Sequence, residues 1–375
     1  ETYIKPLTAN AGGMSWALMR HPEGLKCDMF LTHCWAEGAF EFIDKVIWSW
    51  PLGARGAWCC IFANPQNLDI SELIRDPGDS PFAKALRESS QMMVVPTEAT
   101  SIYSRIWCIY EAFLAVELGK TVFTAASPIT TRLPYSILAA FTICVVSMTL
   151  GAVFAHRIVE NLCGASLSHY ALGLPLLLAL MSFWVSRRPC VSACVNVIGT
   201  AAIMLLTGIF IRKRTECGHG NARFAWMVAC CLYFFANEID RLRSLGQRDE
   251  AARLRRGYVG VHSAVSSVEE DRQRILREIG SRDIAVNKSI VVLIESGMST
   301  TCLRRAAELG TDLRQAGELR WGLIMLGTMS YVLTAYLLDG DLSYWRIFDL
   351  VALPVLGIIW TRAEHDHKAF MATMS

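Results

Sequence analysis

Two long runs without a charged residue constrain this chain more than any other feature. They cover residues 136–155 and 190–211, each roughly 20 residues long. A helix needs about 20 apolar residues to cross the hydrocarbon core of a bilayer, so either run is long enough to span a membrane. The composition agrees, because 53% of the residues are hydrophobic and only 19% are charged. The sequence therefore predicts an integral membrane protein that uses the lipid bilayer as a partner.

Four shorter apolar runs leave the number of spans open. They are residues 170–186, 224–237, 321–338 and 347–361. The last of them contains Asp349 and Pro354, and the second is short for a membrane helix. If all six runs cross, the tail at 362–375 returns to the side of the N-terminal domain. If the first two of these shorter runs do not cross, four spans remain.

The distribution of positive charge does not choose between six and four spans. Cytoplasmic loops carry an excess of Lys and Arg. With six spans, Arg187 and Arg188 and the Arg-rich stretch after residue 240 lie inside, whereas the cluster at 212–214 lies outside. With four spans, that cluster lies inside and the pair at 187 and 188 lies outside. Both topologies stay open.

The parts outside the apolar runs carry no signal for export, nucleic acid or metal. No signal sequence precedes residue 136, so we expect the N-terminal domain in the cytosol. The formal net charge is only +2, which gives no reason to expect a nucleic-acid partner. The 13 cysteines include no CxxC pair, and we interpret them mainly as small apolar residues. His365-Asp366-His367 lies in the polar tail and is interpreted as a solvated chain end.

A polar block at 239–320 separates the fourth apolar run from the fifth. It opens with an Arg-rich stretch at 241–256, which is typical of a segment held beside anionic headgroups. Apolar residues at helical intervals predict an amphipathic helix at 265–295, and a second helix is expected at 301–318 after a turn at 297–300. We expect a cytosolic helical insert.

The first 130 residues alternate between strand and helix patterns. Strands are predicted at 28–35, 58–64, 92–95 and from 121, with helices at 37–50, 81–90 and 104–120. In the first helix, Phe40, Ile43, Ile47 and Trp50 share one face. This alternation predicts an α/β domain with a flavodoxin-like parallel sheet and helices on both faces. A fifth strand is missing or compressed before residue 136.

The predicted sheet places a binding site beyond the carboxyl ends of its strands. Ligands of open parallel sheets bind in that position. The residues that follow these ends predict a site composed of His33, Trp35, Glu37, Asn64 and Gln66. His33 and the adjacent Cys34 point to opposite faces of a strand, so we do not predict a cysteine hydrolase.

Several phrases within residues 28–126 resemble a Toll/interleukin-receptor (TIR) domain. They are DMFLTH, LRESS, MMVVPTEAT, SRIWCIYEAF and KTVFTA, in the order that this family shows. The best match is Trp107-Cys108-Ile109-Tyr110-Glu111, which keeps the WCxxE spacing. The chain is also similar to uncharacterised algal proteins of the dinoflagellate type. The loop at 32–35 departs from the family, because it reads Thr-His-Cys-Trp.

This resemblance implies two functions for the N-terminal domain. The first prediction is a membrane-anchored signalling or assembly module that forms homo-oligomers through the TIR-like domain. The alternative is NAD hydrolysis, in which NAD is the substrate, no cofactor is needed and Glu111 is the catalytic carboxylate. Against this role, Glu111 can also be a helix-surface residue paired with Arg105 or Lys84. A third possibility, a channel or transporter, depends on the few intramembrane ionisable residues, Asp349, His169 and Glu238.

Overall fold

The chain divides into two compact units in a computed structural model. The structure describes residues 4–34, 38–51, 53–98, 100–127, 132–159, 174–175, 177–182, 189–217, 222–310, 313 and 327. Unit 1 combines residues 1–128 with 247–317, and unit 2 contains residues 129–246. The α/β domain is therefore completed by a part of the chain that follows the apolar helices in sequence.

The sheet of unit 1 has five strands, of which four are parallel. They are β1 (Met29–His33), β2 (Ala57–Cys59), β3 (Gln91–Val95), β4 (Thr121–Thr124) and β5 (Met298–Ser299). Their order is β2-β1-β3-β4-β5, and only β5 is antiparallel to its neighbour. In register, Phe30 lies opposite Trp58 on one side and Met92 on the other. This sheet and its flanking helices confirm the predicted α/β class.

Twelve helices of the described residues are labelled in chain order. They are α1 (Ile4–Thr8), α2 (Trp16–Arg20), α3 (Ala39–Trp48), α4 (Cys60–Ala63), α5 (Pro81–Glu88), α6 (Ile106–Glu117), α7 (Arg132–Val159), α8 (Pro189–Cys217), α9 (Ala222–Arg256), α10 (Glu269–Ile279), α11 (Asp283–Ser296) and α12 (Thr301–Glu308). Helices α7 and α8 belong to unit 2, and the last turns of α9 belong to unit 1.

The sheet separates two apolar cores because successive strand residues point to opposite faces. Phe30 packs on the face covered by α5, α6, α10 and α11. Met29 and Leu31 pack on the other face, with α3 and α12. Helix α5 starts where Ser80 Oγ accepts a hydrogen bond from Ala83 N at 3.2 Å, with Pro81 in the first helical position. The helices thus bury both faces of the strands.

Helix α3 has the predicted apolar face, but that face points to solvent. Phe40 is 85% exposed and Ile47 is 69% exposed. The residues that α3 buries against the sheet are Phe42, Lys45 and Val46. The prediction identified the period of the helix correctly and could not identify which of its two apolar faces packs on the strands.

Four other elements differ from the sequence prediction. Strand β2 ends at Cys59, because Cys60 already begins α4, so the run at 58–64 is not one strand. The helix expected at 265–295 is two helices, interrupted at Gly280, whose φ of +55° lies in the left-handed region. The turn expected at 297–300 contains β5, which adds a fifth, antiparallel strand beside β4. The helix expected at 301–318 ends at Glu308 where the structure describes it.

In unit 2, α7 and α8 approach each other closely through glycine. A Cβ atom on Gly208 would lie 2.0 Å from the carbonyl oxygen of Met148, and one on Gly151 would lie 2.1 Å from that of Leu205. Small residues allow membrane helices to pack backbone against backbone. Among the described residues, two segments, Leu133–Ala155 and Cys190–Arg212, are long and apolar enough to cross a membrane.

The other candidate spans are mostly outside the described residues. This holds for 321–338, apart from residue 327, for 347–361, and for much of 170–186. The run at 224–237 forms the first part of α9, which has 35 residues but contains no stretch that meets the same requirement of apolar composition. The tail with His365-Asp366-His367 also lies outside the described residues.

Candidate active site around Glu111

Glu111 lies in the second turn of α6 and is only 5% exposed. Its carboxyl group interacts with Thr32 and His33 at the end of β1 and with Cys59 at the end of β2. These are the carboxyl ends of two adjacent parallel strands, where α/β sheets bind their ligands. Among the described residues, Glu111 forms no ion pair with Arg105 or Lys84, so the surface-residue interpretation does not describe its position.

Burial dominates the electrostatics of Glu111. Desolvation raises the pKa of its carboxyl group from 4.5 to about 7, since the charged form loses its hydration. The Thr32 side chain, His33 and Arg105 lower the pKa, and Cys59 raises it. Within the described part of the chain, Glu111 Oε2 accepts no hydrogen bond. A buried carboxyl oxygen without a donor is costly for stability, and such groups are typical of functional sites.

His33 connects Glu111 to a pair of thiols. Its Nε2 atom lies 3.1 Å from Cys60 Sγ, and its ring packs against Phe42 with a centroid distance of 5.1 Å. The Cys108 thiol donates to the carbonyl oxygen of His33 at 3.6 Å. The WCxxE motif therefore contacts β1 through its cysteine as well as through its glutamate.

Thr32, Cys59 and Cys60 are site residues that sequence reasoning missed. The apolar run at 58–64 predicts one continuous strand, which hides the fact that both cysteines lie at a strand end. The usable signal was position, because Leu31 and Cys59 are partners in the parallel register of β1 and β2. Polar groups that follow this pair along either strand must meet at one edge of the sheet.

The other predicted binding residues have mixed positions. Asn64 caps α4 and is buried. Gln66 Nε2 donates to the carbonyl oxygens of Asn64 at 3.0 Å and Cys60 at 3.4 Å, so its amide group holds the turn after α4. No hydrogen bond joins either side chain to Glu111 within the described residues. Trp35 and Glu37 lie outside the described residues.

A buried lysine ties α3 to the loop after β3. Lys45 Nζ donates to the carbonyl oxygen of Pro96 at 2.5 Å and to Glu41 Oε1 at 2.8 Å. The same Glu41 oxygen accepts a hydrogen bond from the backbone of Glu98 at 3.0 Å. This loop leads into α6, so its anchoring contributes to the position of Glu111.

The loop before α6 is also held by the segment that follows α9. Ser104 and Ile106 exchange backbone hydrogen bonds with Val265, at 2.8 Å and 3.0 Å. Ser101 Oγ donates to the carbonyl oxygen of Leu254 at 3.2 Å. A Cβ atom on Gly257 would lie 2.2 Å from Ser101 Cβ, so the two backbones approach each other closely. The position of α6 thus depends on residues 254–265.

No arrangement suited to a metal ion occurs in the described ranges. No group of three or more His, Cys, Asp or Glu side chains in those ranges is arranged so that it could hold a metal ion. Comparisons with family models, with curated proteins and with solved structures find no match. The interpretation of the site therefore depends on its own residues and on the WCxxE spacing.

Proposed function

We propose that the α/β unit hydrolyses the bond between nicotinamide and ribose in NAD, with Glu111 as the catalytic carboxylate. One observation carries this proposal: Glu111 is buried beside the carboxyl ends of β1 and β2, with one oxygen that accepts no hydrogen bond from the described residues. The WCxxE spacing, which resembles that of TIR enzymes, supports the same role. The module is anchored in a membrane by helices such as α7 and α8.

The chemistry requires a fixed negative charge in a site with little water. When nicotinamide leaves as a neutral molecule, positive charge develops on the ribose ring. A carboxylate held beside that ring stabilises the charge, and the effect is large where water is excluded. Water then adds to the ribose carbon and releases one proton, which gives ADP-ribose. A single well-placed group of this kind contributes about 3 kcal/mol to transition-state stability.

The order of the strands supports a flavodoxin-like arrangement and a ligand at its usual edge. The parallel part runs β2-β1-β3-β4, which is the beginning of the flavodoxin order. The dinucleotide would lie beyond the carboxyl end of β1, whose boundary with β3 is the switch point of this order. We propose that it is bound by His33, Asn64 and Gln66, together with Trp35 and Glu37. The reaction requires no further cofactor.

The experiment measures nicotinamide release by the full chain, reconstituted in lipid at high density to allow self-association. Glu111→Gln retains the shape and removes the charge, so release should fall at least a hundredfold. Glu117→Gln is the matched control, because Glu117 lies on the same helix and forms an exposed ion pair with Arg282 at 3.2 Å. It should retain activity. Intact NAD with the unmodified chain would refute hydrolysis, and an active Glu111→Gln variant would refute the catalytic role of Glu111.

We also propose that the unit is anchored on the cytosolic side as part of a multi-pass protein. The Arg-rich stretch at 241–256 supports this side, because positive charge is retained in the cytosol. Protease protection in sealed vesicles tests the orientation. Recovery of residues 1–128 as a protected lumenal fragment would contradict it.

A second candidate function is assembly, and the exposed face of α3 favours it. Phe40, Ile43, Ile47 and Trp48 are all exposed on this helix. Large aromatic and aliphatic side chains are enriched in protein interfaces. We propose that this α3 face joins copies of the chain into a homo-oligomer. Ile47→Asp should lower the sedimentation coefficient of the purified chain, and an unchanged oligomer would exclude the α3 face.

Transport is not favoured by the contacts of Glu238. This carboxylate pairs with Arg241, whose Nη2 atom lies 2.5 Å from Oε1, and it accepts a hydrogen bond from Asn196 at 3.1 Å. A carboxylate whose charge is already balanced by an arginine is a poor site for a transported cation. The other two ionisable candidates, His169 and Asp349, lie outside the described residues.

A further inference from the structure

The two adjacent thiols beside Glu111 have no role in NAD hydrolysis. Cys59 ends β2 and Cys60 begins α4, and both are buried free cysteines. His33 Nε2 lies 3.1 Å from Cys60 Sγ. Cys60 and His33 also act on the Cys59 side chain, because both lower the pKa of its thiol. One imidazole therefore serves two neighbouring sulfur atoms.

We propose that Cys59 and Cys60 form a dithiol that reacts with hydrogen peroxide and closes to a reversible disulfide. The electrostatics of the pair distinguish the two sulfur atoms. Cys60 and His33 favour the thiolate form of Cys59, and a thiolate is the reactive form of cysteine. The neighbouring Cys59 and burial favour the thiol form of Cys60. Cys60 is therefore the resolving partner.

The charge balance at this position agrees with these roles. The hydrogen bond from Cys60 is the largest cause that lowers the pKa of Cys59 to about 5, and it outweighs desolvation. The pKa of Cys60 is raised, first by its bond to Cys59 and then by burial. Glu111 and Cys108 face the pair from α6, and both raise the pKa of Cys60 further.

The reaction balances in two steps. The Cys59 thiolate attacks one peroxide oxygen, the O–O bond breaks, and the departing hydroxide takes a proton from the His33 imidazolium to become water. Cys59 is then a sulfenic acid. The Cys60 sulfur displaces its hydroxyl group, which leaves as a second water with the Cys60 proton. Two thiols have lost two electrons in total, and one peroxide has become two waters.

A disulfide between adjacent cysteines is strained, which makes it easy to reduce. Neighbouring Cα atoms are about 3.8 Å apart across a trans peptide, while most disulfides need about 4.4–6.8 Å. Strained disulfides are the labile and regulatory ones. Closure would draw Cys60 Sγ away from His33 and remove the Cys59 negative charge beside Glu111. Oxidation would therefore change the environment of the proposed catalytic carboxylate.

The experiment uses the full chain in lipid, without NAD, and brief exposure to hydrogen peroxide before alkylation and peptide mass mapping. Cys302 provides an internal comparison, because it is an exposed free cysteine of the same unit. We expect Cys59 and Cys60 to lose two hydrogen atoms together at least tenfold faster than Cys302 is oxidised. A dithiol reductant should restore both thiols.

Two variants separate the roles of the sulfur atoms. Cys60→Ser should stop the reaction at a Cys59 sulfenic acid that dimedone traps, and Cys59→Ser should abolish the fast reaction. Cys302→Ser is the control and should leave it unchanged. Oxidation of Cys302 as fast as that of Cys59 in the unmodified chain would overturn the proposal, even if a variant failed to fold. Because NAD is absent, this result is independent of the hydrolysis test.

Discussion

Replacing Glu111 by glutamine is expected to stabilise unit 1 near neutral pH while removing the proposed chemistry. The carboxyl group has a pKa of about 7 in the folded chain, against its ordinary value of 4.5, and desolvation is the main cause. The folded state therefore prefers the protonated form. The stability that this form contributes is fully present below pH 4.5 and is lost as the pH rises through 7.

The size of the effect follows from the two pKa values. A difference of one pKa unit corresponds to about 1.4 kcal/mol, so the stability lost by pH 7 amounts to about 3 kcal/mol. Glutamine stays neutral and does not lose this energy. We expect the free energy of opening of α6 to fall by about 3 kcal/mol between pH 4.5 and pH 7 in the unmodified chain. In Glu111→Gln it should stay nearly constant.

Hydrogen exchange followed by mass spectrometry measures this free energy on peptides from α6 and β1. Glu117→Gln is the control, because it removes an exposed carboxylate from the same helix and should retain the pH dependence of the unmodified chain. The same pKa predicts that nicotinamide release rises with pH around 7, as Glu111 ionises. If Glu111→Gln and the unmodified chain lost protection in parallel, burial of an ionisable Glu111 would be refuted.

Three other changes test the packing described above. Gly257→Ala should destabilise unit 1 by about 1–3 kcal/mol and expose the loop before α6 to hydrogen exchange, because the new Cβ atom would meet Ser101. Adding Ser101→Gly should relieve this clash. Gly246→Ala is the control, because its Cβ atom would lie in open space and should not destabilise the chain. Gly208→Leu should separate α7 from α8, because the larger side chain does not fit between the two backbones. The assay is a cross-link between cysteines placed on the two helices, which should be lost. An unchanged cross-link would contradict the close approach of the helices. Trp107→Ala should lower the free energy of chemical unfolding by about 2 kcal/mol, because the ring is half-buried and stacks on Phe82 at 5.3 Å. This is less than the loss expected for a fully buried indole. A loss as large as that for full burial would contradict the half-buried position.

Helix α6 shows what a motif and the spacing of apolar residues can predict. The spacing of apolar residues predicted a buried helix at 104–120, and the WCxxE phrase identified Glu111 as the residue to examine. Neither predicts that its carboxyl group is almost entirely buried or that its pKa reaches about 7. Burial against other elements is the main cause of this pKa, and Thr32, His33 and Cys59, which come from two strands, modify it. The spacing of residues in a helix shows which of them share a face, but it does not show which other segments pack against that face.

The sequence by itself determined the elements that depend on local pattern. These are the alternation of strands and helices before residue 130, the parallel α/β sheet, and the positions of the two apolar helices. Only the tertiary structure decided that Met298–Ser299 completes the sheet beside β4, and that α3 packs with Phe42 and Val46 inside. It also decided that Cys60 meets His33. The physical reason is that burial and hydrogen bonding between distant segments depend on the sum of all contacts, which no short stretch of sequence contains.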